Sequence, residues 1–219
     1  MLQGVLFDMD GLMFDTERIG RDGWRKAAET LHIDLPEEII AAMRGTGTDR
    51  CRKIFNAAIP GHLYDTAHDL RLRYADEVIA ANGVPVKPGL PELLRWLKAA
   101  GIPAVLATST PREKALAYLQ QTDVERYFTA AVFGPEVARP KPAPDIFLAA
   151  AAAIHADPAH CVVLEDSPHG LQAAKAAGCP AIVVPDLTPA PAESKHLWNY
   201  CAKDLHEVQQ ILLKEREKL

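Results

Sequence analysis

The stretch GVLFDMDGLMFDTE, Gly4 to Glu17, decides how the rest of the chain is read. Its first four residues form a continuous apolar run of strand length, and the run stops at Asp8 and Asp10. A strand without polar alternation is expected where a parallel sheet is covered on both faces. Side chains two apart on an extended segment point the same way, so the two carboxylates face one space. Asp15 and Glu17 follow closely. Carboxylates packed together raise one another's pKa or require a cation among them.

Four more apolar, partly β-branched runs match the first: residues 103–107, 130–133, 161–164 and 181–184. Helix-like segments lie between or before them, at 92–100, 113–121, 143–154 and 170–177. Strand alternating with helix predicts right-handed crossovers and an α/β fold with a parallel sheet. The rhythm breaks between residues 16 and 82, where Trp24, Ala27, Ala28 and Leu31, then Leu70, Tyr74 and Val78, recur at helical spacing. A helical insert after the first strand is expected there, with Pro85, Pro88 and Gly89 marking the return to the α/β core. Residues 185–194 read as a Pro- and Ala-rich loop, and 204–218 as a final amphipathic helix.

Composition narrows the classes. The chain has 219 residues, 48% of them hydrophobic and 24% charged, which suits a globular protein with one core plus an insert. A net charge of −5 and the lack of a Lys/Arg run argue against a nucleic-acid partner. No apolar stretch approaches the roughly 18 residues of a membrane span. The apolar start runs directly into Asp8, unlike a signal peptide, so a cytoplasmic protein is expected. Cys51, Cys161, Cys179 and Cys201 are scattered and read as reduced thiols. A monomer is the default expectation.

In an open α/β sheet, ligands bind beyond the carboxyl ends of the strands. Those ends carry Asp8-Met9-Asp10-Gly11, Thr108-Ser109-Thr110-Pro111, Lys141-Pro142 after a loop, and Glu165-Asp166-Ser167-Pro168. Each piece alone has an ordinary reading. Thr110 to Glu113 reads as a capping box, Ser167-Pro168 as a cap followed by proline, Asp10-Gly11 as a turn and Lys141 as a solvated lysine. Four such pieces at one sheet edge favour a shared site. Its all-oxygen donors suit Mg²⁺, which is usually held by one or two carboxylates plus a substrate phosphate. Helix N-termini at Thr110 and Ser167, hydroxyls at Thr108 and Ser109, and the Lys141 cation suit an anion. Together these parts describe phosphoryl transfer.

On these residues the chain resembles the haloacid dehalogenase-like superfamily, and FDMDGLMFDTE resembles its phosphatase and β-phosphoglucomutase-like branch. The resemblance rests on Asp8/Asp10, Thr108, Lys141 in KPAPDIF and Glu165/Asp166 in LEDSPHG. It implies a Rossmann-like core of residues 1–15 and 84–219, and a helical cap of residues 16–83. It further implies Asp8 as nucleophile and Asp10 as general acid and base. Thr108 and Lys141 would hold the transferring phosphoryl group, with Ser109 and Thr110 beside them. Asp8, Asp10 through its backbone carbonyl, and Asp166 would bind Mg²⁺, with Glu165 supporting. The cap would close over the pocket and read the leaving group through Trp24, Gly45 and Thr46.

The substrate implied is a small-molecule phosphomonoester such as a sugar phosphate, hydrolysed through an aspartyl-phosphate. Asp10 argues against dehalogenation, in which no leaving oxygen needs a proton. A mutase of the β-phosphoglucomutase type is the alternative. Those enzymes carry a histidine on the first cap helix where this chain has Gly20, and a cap arginine that falls on Thr48. A phosphoryl-accepting signalling module is a remoter alternative, because it has no helical insert after the first strand.

Overall fold

The computed structural model describes residues 2–189 and 192–215. A six-stranded sheet runs in the order β3-β2-β1-β4-β5-β6. Its strands are β1 Gly4–Phe7, β2 Ala104–Thr108, β3 Phe128–Phe133, β4 Cys161–Glu165, β5 Ala181–Val183 and β6 Tyr200–Cys201. All pairings are parallel, and the first strand in sequence lies between β2 and β4. The register sets Phe7 beside Leu106 and Leu164, so the ends of β1, β2 and β4 open on one edge.

Burial follows the two faces of the pleat. Leu6, Val105, Ala107, Val163 and Val183 join Ile146, Phe147 and Leu171 in one apolar cluster. Those partners come from α7, Asp145–Ala153, and α8, Pro168–Ala177. The alternate residues Val5, Phe7, Leu106, Val162, Leu164 and Ile182 are fully buried too. Both faces are therefore covered, which is why these strands carry no polar alternation. The predicted loop at 185–194 ends in a 3₁₀ turn at Ala192–Leu197, and residues 190 and 191 of it lie outside the described residues. The last helix, α9, is Leu205–Glu215, and residues 216–218 of its predicted span lie outside them as well. All four cysteines are free thiols.

Asp15–Pro85 form a separate compact unit, and the residues before and after it form the other. The inserted unit consists of α1 Thr16–Leu31, α2 Glu37–Met43, α3 Thr48–Ala58 and α4 Tyr64–Asn82. Its core is aromatic, with Trp24 5.7 Å from Phe55 and Phe55 edge-on to Tyr64 at 5.6 Å, ring centroid to ring centroid. Ala27, Ile40, Met43 and Ala67 complete it. Arg71 on α4 lies over the Trp24 ring.

Candidate active site

The site begins where β1 ends. The Asp8 amide donates to the Leu164 carbonyl at 3.1 Å, which extends the β1–β4 ladder to the first carboxylate. The chain then turns. Gly11 adopts φ +84°, a conformation that glycine takes without strain, and its amide donates to the Phe14 carbonyl. A β-carbon on Gly11 would lie 2.4 Å from Asp166 Oδ2, so the turn has space for no other residue.

Lys141 reaches into this turn from a loop that the sequence presents as polar and proline-rich. Its side chain is only 6% exposed, so it is no solvated lysine. Its Nζ donates to Asp8 Oδ1 at 2.6 Å, to Glu165 Oε1 at 2.7 Å and to the Ala107 carbonyl at 3.2 Å. All three ammonium donors are thus used, and Asp8 and Glu165 are held by one cation. Burial alone would lower the Lys141 pKa. The two carboxylates outweigh burial and hold the lysine protonated, above its ordinary range. Burial pushes the Asp8 carboxyl up to about 8 despite Lys141, and Glu165 and Asp10 add to the rise. One lysine does not balance these acids, so the cluster has room for further positive charge.

Glu165 is fully buried, and both its oxygens have donors. Oε1 takes the Lys141 ammonium, while Oε2 accepts from the amides of Asp166 and Ser167 and from the Ser167 hydroxyl, at 3.0–3.1 Å. Ser167 also accepts from the Gly170 amide at 3.1 Å as the N-cap of α8, as its sequence predicts. Glu165 therefore ties Lys141 to the start of α8, and Asp166 leaves that knot beside Asp8. Oxygens of Asp8, Glu165 and Asp166 lie within 4.8 Å of one another, an arrangement that can hold a metal ion.

The β2 edge supplies hydroxyls. Thr108 is buried, and its Oγ1 accepts from the Thr110 amide at 3.1 Å. The capping box expected at Thr110 does not form. The N-cap of α6, Arg112–Gln121, is Pro111, with no side-chain cap bond. The Thr110 hydroxyl donates instead to Asp10 Oδ2 at 2.6 Å, which orients the second acid of DxD. A side chain that can bond a nearby carboxylate does not have to cap its own helix. Ser109, between the two threonines, is exposed.

One edge of the sheet thus brings together Asp8, Asp10, Thr108, Ser109, Thr110, Lys141, Glu165 and Asp166. Trp24, Gly45 and Thr46 belong to the inserted unit. Trp24 is buried in the aromatic core there. Gly45, at φ +63°, and Thr46, whose hydroxyl donates to the Met43 carbonyl at 2.7 Å, link α2 to α3. Sequence reasoning gave no role to Gly170, although it closes the LEDSPHG motif. A β-carbon there would lie 1.7 Å from Glu165 Oε1. Gly170→Ala is expected to expel Glu165 from its place. Urea denaturation should show a loss of about 1–3 kcal/mol, the usual range for overpacking, together with lower activity. A variant as stable and active as the parent would show that the helix shifts to make room.

The sequence profile of the haloacid dehalogenase-like hydrolases matches residues 2–178. The chain belongs to this family. It is 33% identical over 179 residues to a phosphorylated carbohydrates phosphatase of Thermotoga maritima, covering 81% of this chain and 82% of that one. It is 32% identical over 211 residues to hexitol phosphatase A of Escherichia coli, covering 95% and 93% respectively. Among solved structures, a haloacid dehalogenase family hydrolase of Deinococcus radiodurans, with bound phosphate and sodium, superposes with a TM-score of 0.80. It is 26% identical, and the match covers 100% of this chain and 97% of that one.

Proposed function

We propose that this protein hydrolyses small phosphomonoesters of the sugar-phosphate class by way of a phosphoryl group carried on Asp8. The observation that carries the reading is the Asp8 carboxylate held at 2.6 Å by buried Lys141, with Asp10 two residues on and bonded to Thr110. Relatives named for phosphorylated carbohydrates and hexitols support the substrate class.

An Asp8 oxygen attacks phosphorus, forming an acyl-phosphate bond as the bond to the leaving oxygen breaks. Asp10, protonated at that moment, gives its proton to the departing alkoxide. Water then attacks the same phosphorus and yields its proton to Asp10. The acyl-phosphate bond breaks, which releases inorganic phosphate and restores Asp8. Lys141 keeps Asp8 oriented and offsets charge on the phosphoryl oxygens, with the Thr108 hydroxyl as a neighbouring donor. The carboxylates of Asp8 and Asp166 and the Asp10 carbonyl are oxygen donors of the kind Mg²⁺ takes. That ion would supply the charge that lets an anionic nucleophile meet an anionic ester. Glu165, with every oxygen occupied, supports the ligand set from behind.

The mutase alternative draws less support. Arg71 Nη2 lies 2.7 Å from where a β-carbon on Gly20 would stand, so an arginine fills the space in which the mutases carry a histidine. Phosphate release from a panel of hexose, hexitol and nucleoside monophosphates, with and without Mg²⁺, tests the proposal. Repeated turnover that needs Mg²⁺ is expected, and Asp166→Ala should raise the Mg²⁺ required. A single stoichiometric phosphorylation would point to a signalling module. Glucose 6-phosphate formed from glucose 1-phosphate would establish a mutase.

A further inference from the structure

Asp186 stands three residues beyond the end of β5, at the sheet edge that carries Asp8, Thr108 and Glu165. Its side chain is 3% exposed. One oxygen, Oδ1, accepts from the Lys87 ammonium, which comes from the segment that follows the helical insert. The other, Oδ2, is buried and has no hydrogen-bond partner among the described residues. A β-carbon placed on Gly11 would lie 2.4 Å from Asp166 Oδ2 and 3.3 Å from Asp186 Oδ2, so both oxygens converge on one point beside the DxD turn.

A buried carboxylate oxygen without a donor, such as Asp186 Oδ2, costs free energy, and two carboxylate oxygens facing one point repel. Lys87 is already bonded to Oδ1, so a further donor is needed on the Asp166 side. Mg²⁺ gives up its waters reluctantly and usually keeps several, and each of them presents O–H donors. From these contacts, and resting on the metal-dependent reading above, we infer that Asp186 is a positioning residue for the metal site. It accepts a hydrogen bond from water on the ion that Asp166 holds, and Lys87 fixes the orientation of its carboxylate. The metal site then extends from the ends of β1 and β4 to that of β5, and the segment after the helical insert is bonded to it through Lys87.

Isothermal titration of Mg²⁺ into the full chain, without substrate, tests this. Outer-shell partners of metal ligands change affinity by about 10–100-fold. Asp186→Asn keeps a carbonyl oxygen for Lys87 and removes the charge, so its Mg²⁺ dissociation constant should rise by that factor. Its melting temperature in EDTA should stay near that of the parent. Asp186→Ser, smaller but still able to accept from Lys87, should weaken Mg²⁺ similarly. Unchanged Mg²⁺ affinity in both variants, with tight binding by the parent, would overturn the inference and leave the phosphatase reading standing. An equal loss of stability with and without Mg²⁺ would also overturn it, by making Asp186 purely structural. A parent protein that binds no Mg²⁺ would overturn both readings.

Discussion

Asp8→Asn is expected to lose turnover on the order of 10⁴-fold or more, the scale seen when a covalent nucleophile is removed. The amide keeps the size of the carboxylate and an oxygen for the Lys141 ammonium, but it has no anionic oxygen to attack phosphorus. The fold should survive. Burial already disfavours the charged form of Asp8, so a neutral isostere relieves desolvation while Lys141 keeps Glu165 as its counter-ion. Inorganic phosphate release measures the first expectation and a melting curve the second. Intact mass should show a phosphoryl adduct on the parent protein after rapid acid quench and none on the variant. Full activity in Asp8→Asn would end the covalent mechanism.

Lys141→Met should be nearly as damaging to turnover and far worse for the fold. Removing one partner of a buried ion pair costs about 3–5 kcal/mol, because the charge left behind is uncompensated. Here two carboxylates, Asp8 and Glu165, share the same ammonium. The sign of the pH dependence follows. The pull of Lys141 and its hydrogen bond lower the Asp8 pKa, while burial, Glu165 and Asp10 raise it. Deleting Lys141 leaves the raising influences and moves that pKa further above its unfolded value. A group raised on folding lends stability that is complete below its unfolded pKa and lost as pH rises through the folded one. The variant should therefore lie below the parent by a constant amount from about pH 5 to 7, and the gap should widen from about pH 8, where Asp8 of the parent ionises, toward pH 10. Any activity it keeps should need a higher pH than the parent does. A uniform loss of stability across that range would mean that packing, not charge, is what Lys141 provides.

Five of the six strands were legible because each is a continuous apolar run long enough to be buried on two faces. β6, the two-residue Tyr200–Cys201, offers no such run, and only its pairing with Ile182 and Val183 makes it a strand. The carboxylates of the site were legible for a similar reason, since acids gathered at the ends of buried strands repel unless a cation meets them. Lys141 is different. In ARPKPAP it looks like loop lysine, and only the family motif marks it, because its burial depends on partners 24 and 133 residues away. Asp186 and Lys87 carry no local pattern, and the pair joins residues 99 apart. Thr110 misleads in the opposite direction, since a good capping sequence is drawn off by Asp10 beyond the end of a neighbouring strand.

The placement of β1 has a consequence for synthesis. β1 is an inner strand, and its Gly4 finds its β4 neighbour only at Cys161, long after it has left the ribosome. Between them emerges Asp15–Pro85, with an aromatic core of its own. Sequence-distant pairing of this kind slows folding and leaves strand edges open in the meantime. A nascent chain stalled before β4 would thus hold GVLF without its second partner, and the DxD acids and Lys141 without Glu165 beside them. Chains truncated there should be prone to aggregation and to chaperone capture.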